Sequence, residues 1–369
     1  LTRPELVFVG QIAPAAAVLG EPVARQAASV ISRLERALAE RKLSSEDLLR
    51  LRLFAGDLDD LPAIERAIDS AFGPAQRPAM SVVELPAGSA AGVAVTLDAV
   101  AAPGAREHRR LGPHSARLGP WVFLGAVPGI AARRGVPGQR RIHEESRALF
   151  ARMEELLRAQ DAELRDVVKV GGWLTFPIRR SDYQPLGEVR EALLSDAGLF
   201  PASAAVQVGR ALTDGALLAF EAIAFAPEDP GERERWRATP LPPPSPLAPY
   251  YASARGAGGY VFTCGEVPTG TAGADRPAPV DVQAGEVYER LGADLAAHGA
   301  SPANVLHQTV FVRRLRDRDA AVDAARAFFG HGTQPPTTML GVADIGFHPG
   351  CDVEIELVAA TDGRCADAR

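Results

Sequence analysis

The sequence is short of four things, and each shortage removes a class of protein. Cysteine occurs three times in 369 residues, at Cys264, Cys351 and Cys365, never in a CxxC spacing. That excludes a disulfide framework, and with no His/Cys/Asp set at metal-ligand spacing, His348 and Cys351 alone make no zinc site. No apolar run approaches the roughly 18 residues of a membrane span, and the opening at Leu1 has no basic and apolar regions of a signal peptide. Excess positive charge is also missing: the formal net charge is -6, so no global field draws a phosphate backbone. Of the 40 basic residues only Lys42 and Lys169 are lysines, a bias of GC-rich coding that carries no mechanism. The expectation is a cytoplasmic protein with no membrane or nucleic-acid partner, no metal and no cofactor.

What is present is enough core for two or three domains, with 47% hydrophobic and 23% charged residues. Repetition organises it. An amphipathic helix carries Val30, Ile31, Leu34 and Leu38, and its counterparts carry Leu149, Met153, Leu156 and Leu157, then Val287, Leu291 and Leu295. Each leads into an extended run: 48–54, 167–174 and 305–312. In the first, Leu49, Leu51 and Leu53 alternate with Arg50 and Arg52, the period of a half-buried strand. Second helices follow at 61–72, 186–194 and 320–329, then Pro78, Pro201 and Pro335 close them. Opening strands at 6–12, 121–127 and 260–267, with closing strands ending at Val100, Phe225 and Ala360, complete a β-β-α-β-α-β-β order.

Composition places the boundaries. Unit one spans 1–103, N-terminally truncated by one strand; unit two spans 111–226; a charged and then proline-rich linker occupies 227–246; unit three spans 247–362. Pro240, Pro242, Pro243, Pro244 and Pro246 make that linker an extended spacer.

Unit three carries a family resemblance. Ala248-Pro249-Tyr250, Phe262-Thr263-Cys264-Gly265-Glu266-Val267-Pro268, Val310-Phe311-Val312 and Val353-Glu354-Ile355-Glu356 resemble the corresponding segments of the RidA (YjgF/YER057c/UK114) family. Unit two keeps Gly112-Pro113 with His114 in place of the family's Tyr, and unit one keeps Val9-Gly10-Gln11-Ile12. The resemblance implies an α/β (α+β) fold of three tandem units, closed into an intrachain pseudo-trimer with a central barrel of sheets and helices outside. It also implies a monomer with a small-molecule substrate in the clefts between units.

Within those clefts the resemblance assigns candidates. Glu354 matches the pocket glutamate that orients or activates water, unless it is only a solvated strand carboxylate. Glu221 and Glu356 match a structural position two residues on. Cys264 replaces a pocket serine beside Gly265, as a nucleophile if its pKa is lowered, or as a small buried hydrophobe. Tyr250, Thr337, Met339 and His114 are the other binding candidates. The arginine that clamps the substrate carboxylate in deaminating members is replaced by Met80, Ser203 and Thr337, which argues against 2-aminoacrylate hydrolysis; Arg133 and Arg134 are candidate substitutes.

Val310-Phe311-Val312-Arg313-Arg314, Asp344-Ile345 and Val353-Glu354-Ile355-Glu356 are also similar to the C-terminal end of chorismatases, which implies an acid role for Glu354; upstream the similarity fades. Three readings stand: a Rid-superfamily enzyme of acid/base or hydrolytic chemistry on an imine, enamine or other reactive metabolite, a chorismatase-like lyase or hydrolase, and a non-catalytic binding or scaffold protein.

Overall fold

The computed structural model describes residues 5–73, 76–85, 90–104, 107–130, 138–194, 200–211, 215–229, 231–232, 236–241, 250–270, 277–330, 332, 334–346 and 350–361. Arg133, Arg134, His348, Cys365 and part of the 227–246 linker lie outside the described residues.

One order of elements recurs three times. First come β1 (Val7–Ile12), α1 (Val23–Ala39), β2 (Leu48–Ala55), α2 (Leu61–Phe72), β3 (Ala79–Glu84) and β4 (Val95–Ala101). Then β5 (Arg109–Arg110) and β6 (Ser115–Leu118) precede β7 (Trp121–Pro128), α3 (Gly138–Arg158), β8 (Val167–Leu174), α4 (Arg180–Leu194), β9 (Ala202–Gln207) and β10 (Leu218–Phe225). Finally β11 (Arg237–Pro240) and β12 (Ala252–Ala257) precede β13 (Tyr260–Thr263), α5 (Val280–Ala297), β14 (Val305–Val312), α6 (Arg318–Phe329), β15 (Thr337–Gly341), β16 (Asp344–Ile345) and β17 (Val353–Ala360). The turn into each long strand is built alike. The Ser44 N–H donates to the Asp47 carboxylate at 2.8 Å, Glu163 N–H to Asp166 at 2.9 Å, and Ser301 N–H to the Asn304 amide oxygen at 2.9 Å.

Among the described residues the first four strands form a sheet ordered β1-β4-β2-β3. The others join in a second sheet ordered β15-β14-β17-β13-β12-β9-β8-β10-β7-β6-β5, with β11 on β12 and β16 on β9. Pairs β2–β3, β8–β9 and β14–β15 are parallel, which demands a crossover, and α2, α4 and α6 supply it. The opening strand expected over 260–267 stops at Thr263. Beyond it the Gly265 N–H leaves the ladder and donates at 2.9 Å to the carbonyl of Ser203 on β9.

Each helix pair covers one face of its strands with a separate apolar core: Leu34 and Leu38 over Leu51 and Leu53, Leu149 and Met153 over Val170, Leu291 and Leu295 over Val310 and Ile355. The opposite faces meet in layers. Leu49, Val168 and Leu306 join one apolar layer with Trp121, Phe225 and Phe262. Phe54, Trp173 and Phe311 join another, their rings 6.1 and 6.4 Å apart. Between the layers the same strands place Arg50, Arg52, Lys169, His307 and Thr309.

This overturns the half-buried reading of β2. All eight of its residues are buried, because Arg50 and Arg52 point into a charge layer and not to water. Arg52 holds Asp98 with two hydrogen bonds, 2.8 Å from Nε and 2.6 Å from Nη2, and lies 3.5 Å from Glu221 and 4.0 Å from Glu356. Arg50 lies 3.5 Å from Glu221, and Lys169 sits 2.6 Å from Glu356. Burial, outweighing the nearby Asp98 carboxylate, pushes His307 down to about 4 and leaves it neutral. Three cations therefore face three carboxylates, the balance that buried ions require. Ser81 and Thr338 donate to Glu221 and Asp98 at 2.5 and 2.7 Å. A void of about 30 Å³ remains among these side chains, room for one or two waters.

Asp98→Asn would leave Arg52 buried beside an amide. Urea unfolding should show a loss of about 3 kcal/mol or more; a loss under about 1 kcal/mol would mean that the layer does not hold the sheets together.

Candidate functional site

Strand β17 divides its residues between two environments. Val353 and Ile355 enter the core beneath α5 and α6, so Glu354 and Glu356 project to the other face. Glu356 belongs to the charge layer. Glu354, two residues earlier on the same strand, has only 3% of its surface exposed and no ion pair among the described residues. Burial and the adjacent Glu356 carboxylate push its pKa up to about 8, against the pull of Lys169 and a hydrogen bond from the Ala205 backbone. At neutral pH the carboxyl keeps its proton and can give it away, which is the state a general acid needs.

The space over Glu354 exists because residue 265 is glycine. A Cβ there would overlap the Glu354 carboxyl oxygen and come within 2.9 Å of the Ala204 side chain. Ala204, Ala205 and Ser203 lie on β9, so the site lies where β9 meets the segment that follows β13, beside β17.

An arginine that sequence reasoning missed stands beside β9. Arg190, fully buried on α4, donates from Nη1 to the Tyr183 hydroxyl at 2.8 Å and to the Ser203 hydroxyl at 3.0 Å. Its Nε and Nη2 have no hydrogen-bond partner among the described residues. Its guanidinium lies 5.7 Å from the ring centre of Tyr251. Burial, with Cys264, Tyr183, Glu266 and Glu354 nearby, holds the Tyr251 phenol well above its ordinary value and protonated. Tyr251 thus stands between the two groups, its ring against the Arg190 guanidinium and its phenol within the field of Glu354, and a guanidinium of this kind suits a small carboxylate.

The candidates read from the sequence separate. Cys264 and Gly265 stay with Glu354. The Cys264 thiol, 1% exposed, donates to Glu266 at 3.2 Å, and burial and Glu266 hold its pKa well above normal. That state is opposite to an activated nucleophile, so Cys264 lines the cleft. Tyr250 packs on the far side against Gly187 of α4, and its neighbour Tyr251 takes the inward position. Thr337 and Met339 lie in another cleft: Thr337 accepts from Gln308 at 2.8 Å and packs on Gly10, while the Met339 N–H donates to Gln11 at 3.3 Å. Parallel pairing of β15 with β14 carries Thr337 away from Glu354, onto unit one. A groove of about 1260 Å³ opens there, lined by Gly10, Gln11, Gln334 and Thr337 among others. His114 is exposed, its carbonyl accepting from Gly125 N–H at 2.9 Å beside Met80, in the remaining cleft. Among the described residues no group of three or more His, Cys, Asp or Glu could hold a metal ion.

Fold and site define an α+β protein of mixed sheets with a buried acid between β9 and β17. The Endoribonuclease L-PSP family model matches residues 2–102 and 242–361, more than half of the chain, and the chain belongs to that family. A RutC family protein of Haemophilus influenzae is 29% identical over 114 residues, which are 30% of this chain and 87% of that protein. A crystal structure of a member of the YjgF/YER057c/UK114 family from Mycobacterium tuberculosis matches 34% of this chain and 98% of its own, at 22% identity and TM-score 0.30. A chorismatase crystal structure is similar over 97% of this chain and 99% of its own, at 16% identity and TM-score 0.57. The likeness of fold to chorismatases therefore does not fade upstream of the C-terminal segment: it runs nearly end to end.

Gly265→Ala should lower stability by about 1–3 kcal/mol, the cost of overpacking a filled site. Gly285→Ala, where an added Cβ meets nothing within 4 Å on α5, should not; equal effects in thermal unfolding would contradict the close approach of Glu354.

Proposed function

We propose that the chain is an acid-catalytic enzyme acting on a small carboxylate whose carbon–carbon double bond bears a heteroatom, an enol ether of the chorismate kind. The observation that carries this reading is Tyr251, which lies against the Arg190 guanidinium with its two unpartnered nitrogens and within the field of the raised Glu354 carboxyl. Arg190 takes the substrate carboxylate by a two-pronged contact, Tyr251 lies beside it, and Glu354 donates its proton to the electron-rich carbon. Water then adds to the resulting oxocarbenium ion and returns a proton to the Glu354 carboxylate, and the hemiketal breaks its C–O bond to leave a keto acid and the alcohol. In this reading Arg190 on a neighbouring helix does the work of the clamp that Ser203 lacks, and Arg133 and Arg134 are not needed.

The whole chain is read as three tandem copies of one unit, 1–103, 111–226 and 247–362, joined through the 227–246 linker into an intrachain pseudo-trimer around a barrel, and monomeric. The three capping turns, the three crossover helices and the shared charge layer support it. Tethering makes the association of the three sheets intramolecular and lets the clefts differ, so that only one carries an acid.

A second reading keeps the same residues but makes the substrate an enamine or imine such as 2-aminoacrylate, as membership in a Rid-type family allows. End-to-end likeness of fold to a chorismatase favours the enol ether. The two separate in one assay: chorismate should release pyruvate without ammonia, and 2-aminoacrylate should be hydrolysed little above background. Glu354→Gln should lower turnover about 10²- to 10⁴-fold, and the wild-type rate should fall as pH rises through about 8, where Glu354 loses its proton. Ammonia release from 2-aminoacrylate at an enzymatic rate would favour the second reading, and full activity in Glu354→Gln would remove the site altogether.

A further inference from the structure

A second buried arginine lies apart from Glu354 and has no counter-charge among the described residues. Arg255 sits on β12, paired with Phe262 of β13 and Ala238 of β11. Its neighbour Ala254 faces the core under α5, so Arg255 turns to the opposite face, the side of Ala257 and the aromatic layer of Trp121, Phe225, Trp236, Tyr260 and Phe262. None of its surface is exposed. Its guanidinium stands 5.0 Å from the ring centre of Trp236.

Among the described residues Nε, Nη1 and Nη2 of Arg255 have no hydrogen-bond partner, and neither has Nε1 of Trp236 or of Trp121. Guanidinium and indole N–H groups only donate, so no rotation or tautomer lets them satisfy one another. The charge is uncompensated as well. Arg52 in the charge layer meets three carboxylates, whereas Arg255 has no ion-pair partner among the described residues. The nearby His298 is lowered by burial first and then by Arg237 and Arg255. Burial alone lowers Arg255, to about 10, which still leaves it a cation at neutral pH. A stacked indole face returns only part of the lost hydration, and an unpaired buried ion costs several kcal/mol.

We infer that Arg255 and the indole N–H of Trp236 hold a small inorganic anion, of chloride size, within the aromatic layer. Full enclosure of the guanidinium limits the ligand to an ion of one or a few atoms. The site is independent of catalysis by Glu354, and its role is to let the strand pair β12–β13 carry a cation through an apolar layer.

The test uses the full chain in sodium gluconate, titrated with sodium chloride at constant ionic strength. Two of the three tryptophans, Trp121 and Trp236, lie in the layer. Chloride should change tryptophan emission saturably and raise the Tm, and gluconate should do neither. Arg255→Gln should weaken chloride about tenfold or more, the scale of a lost charge-assisted contact. A crystal grown in bromide should show an anomalous peak beside the guanidinium. Identical behaviour in both salts, or water alone beside Arg255 in the bromide crystal, would overturn the inference. The wild-type crystal decides the matter if Arg255→Gln does not fold.

Discussion

The structure depends on a layer of buried charge where three groups of strands meet. Arg52 faces carboxylates of three strands: Asp98 of β4, Glu221 of β10 and Glu356 of β17. The layer balances as a whole: β2 and β4 supply two arginines and one acid, β8 and β10 a lysine and an acid, and β14 and β17 neutral His307 and Thr309 with an acid. The layer thus specifies which strands meet, and the apolar layers on either side supply the driving force.

The same layer sets the chemistry next to it. Glu356 is held ionised, its burial outweighed by Lys169 and Arg52, and after burial, the larger cause, that negative charge two residues away on the same face raises Glu354. A second carboxylate close to an ionised one keeps its proton. The protonation state of Glu354 is therefore tied both to its burial and to the charge balance between the sheets. Two buried arginines stand outside this balance among the described residues: Arg190 with two unpartnered nitrogens and Arg255 with three, the positions at which ligands are proposed above.

Much of this was legible in the sequence, and the rest was hidden for definite reasons. Period and punctuation gave the helices and strands, and β8, β14 and β17 fall where the apolar runs lie. Alternation in β2 located the two faces but not their surroundings, since a face of arginines reads as solvent until the opposing carboxylates of distant strands are known. Glu354 and Gly265 were found from their motif. Tyr251 was missed by one residue, because a family motif fixes an aromatic near the strand and not which of two adjacent tyrosines turns inward. Arg190 did leave a signal: it falls between Leu186 and Leu194 on the buried stripe of α4, where an arginine at helical spacing among apolar residues announces an interior partner.

The protonation state of Glu354 carries the most weight, and it can be measured directly. Carboxyl-labelled glutamate, followed by carbon NMR or isotope-edited infrared difference spectra in wild type and in Glu354→Gln, isolates one titration. A signal lost in the variant and titrating near 8 is the expected result. A Glu354 that titrates near 4.5, like an exposed glutamate, would contradict both the acid and the electrostatic coupling that sustains it.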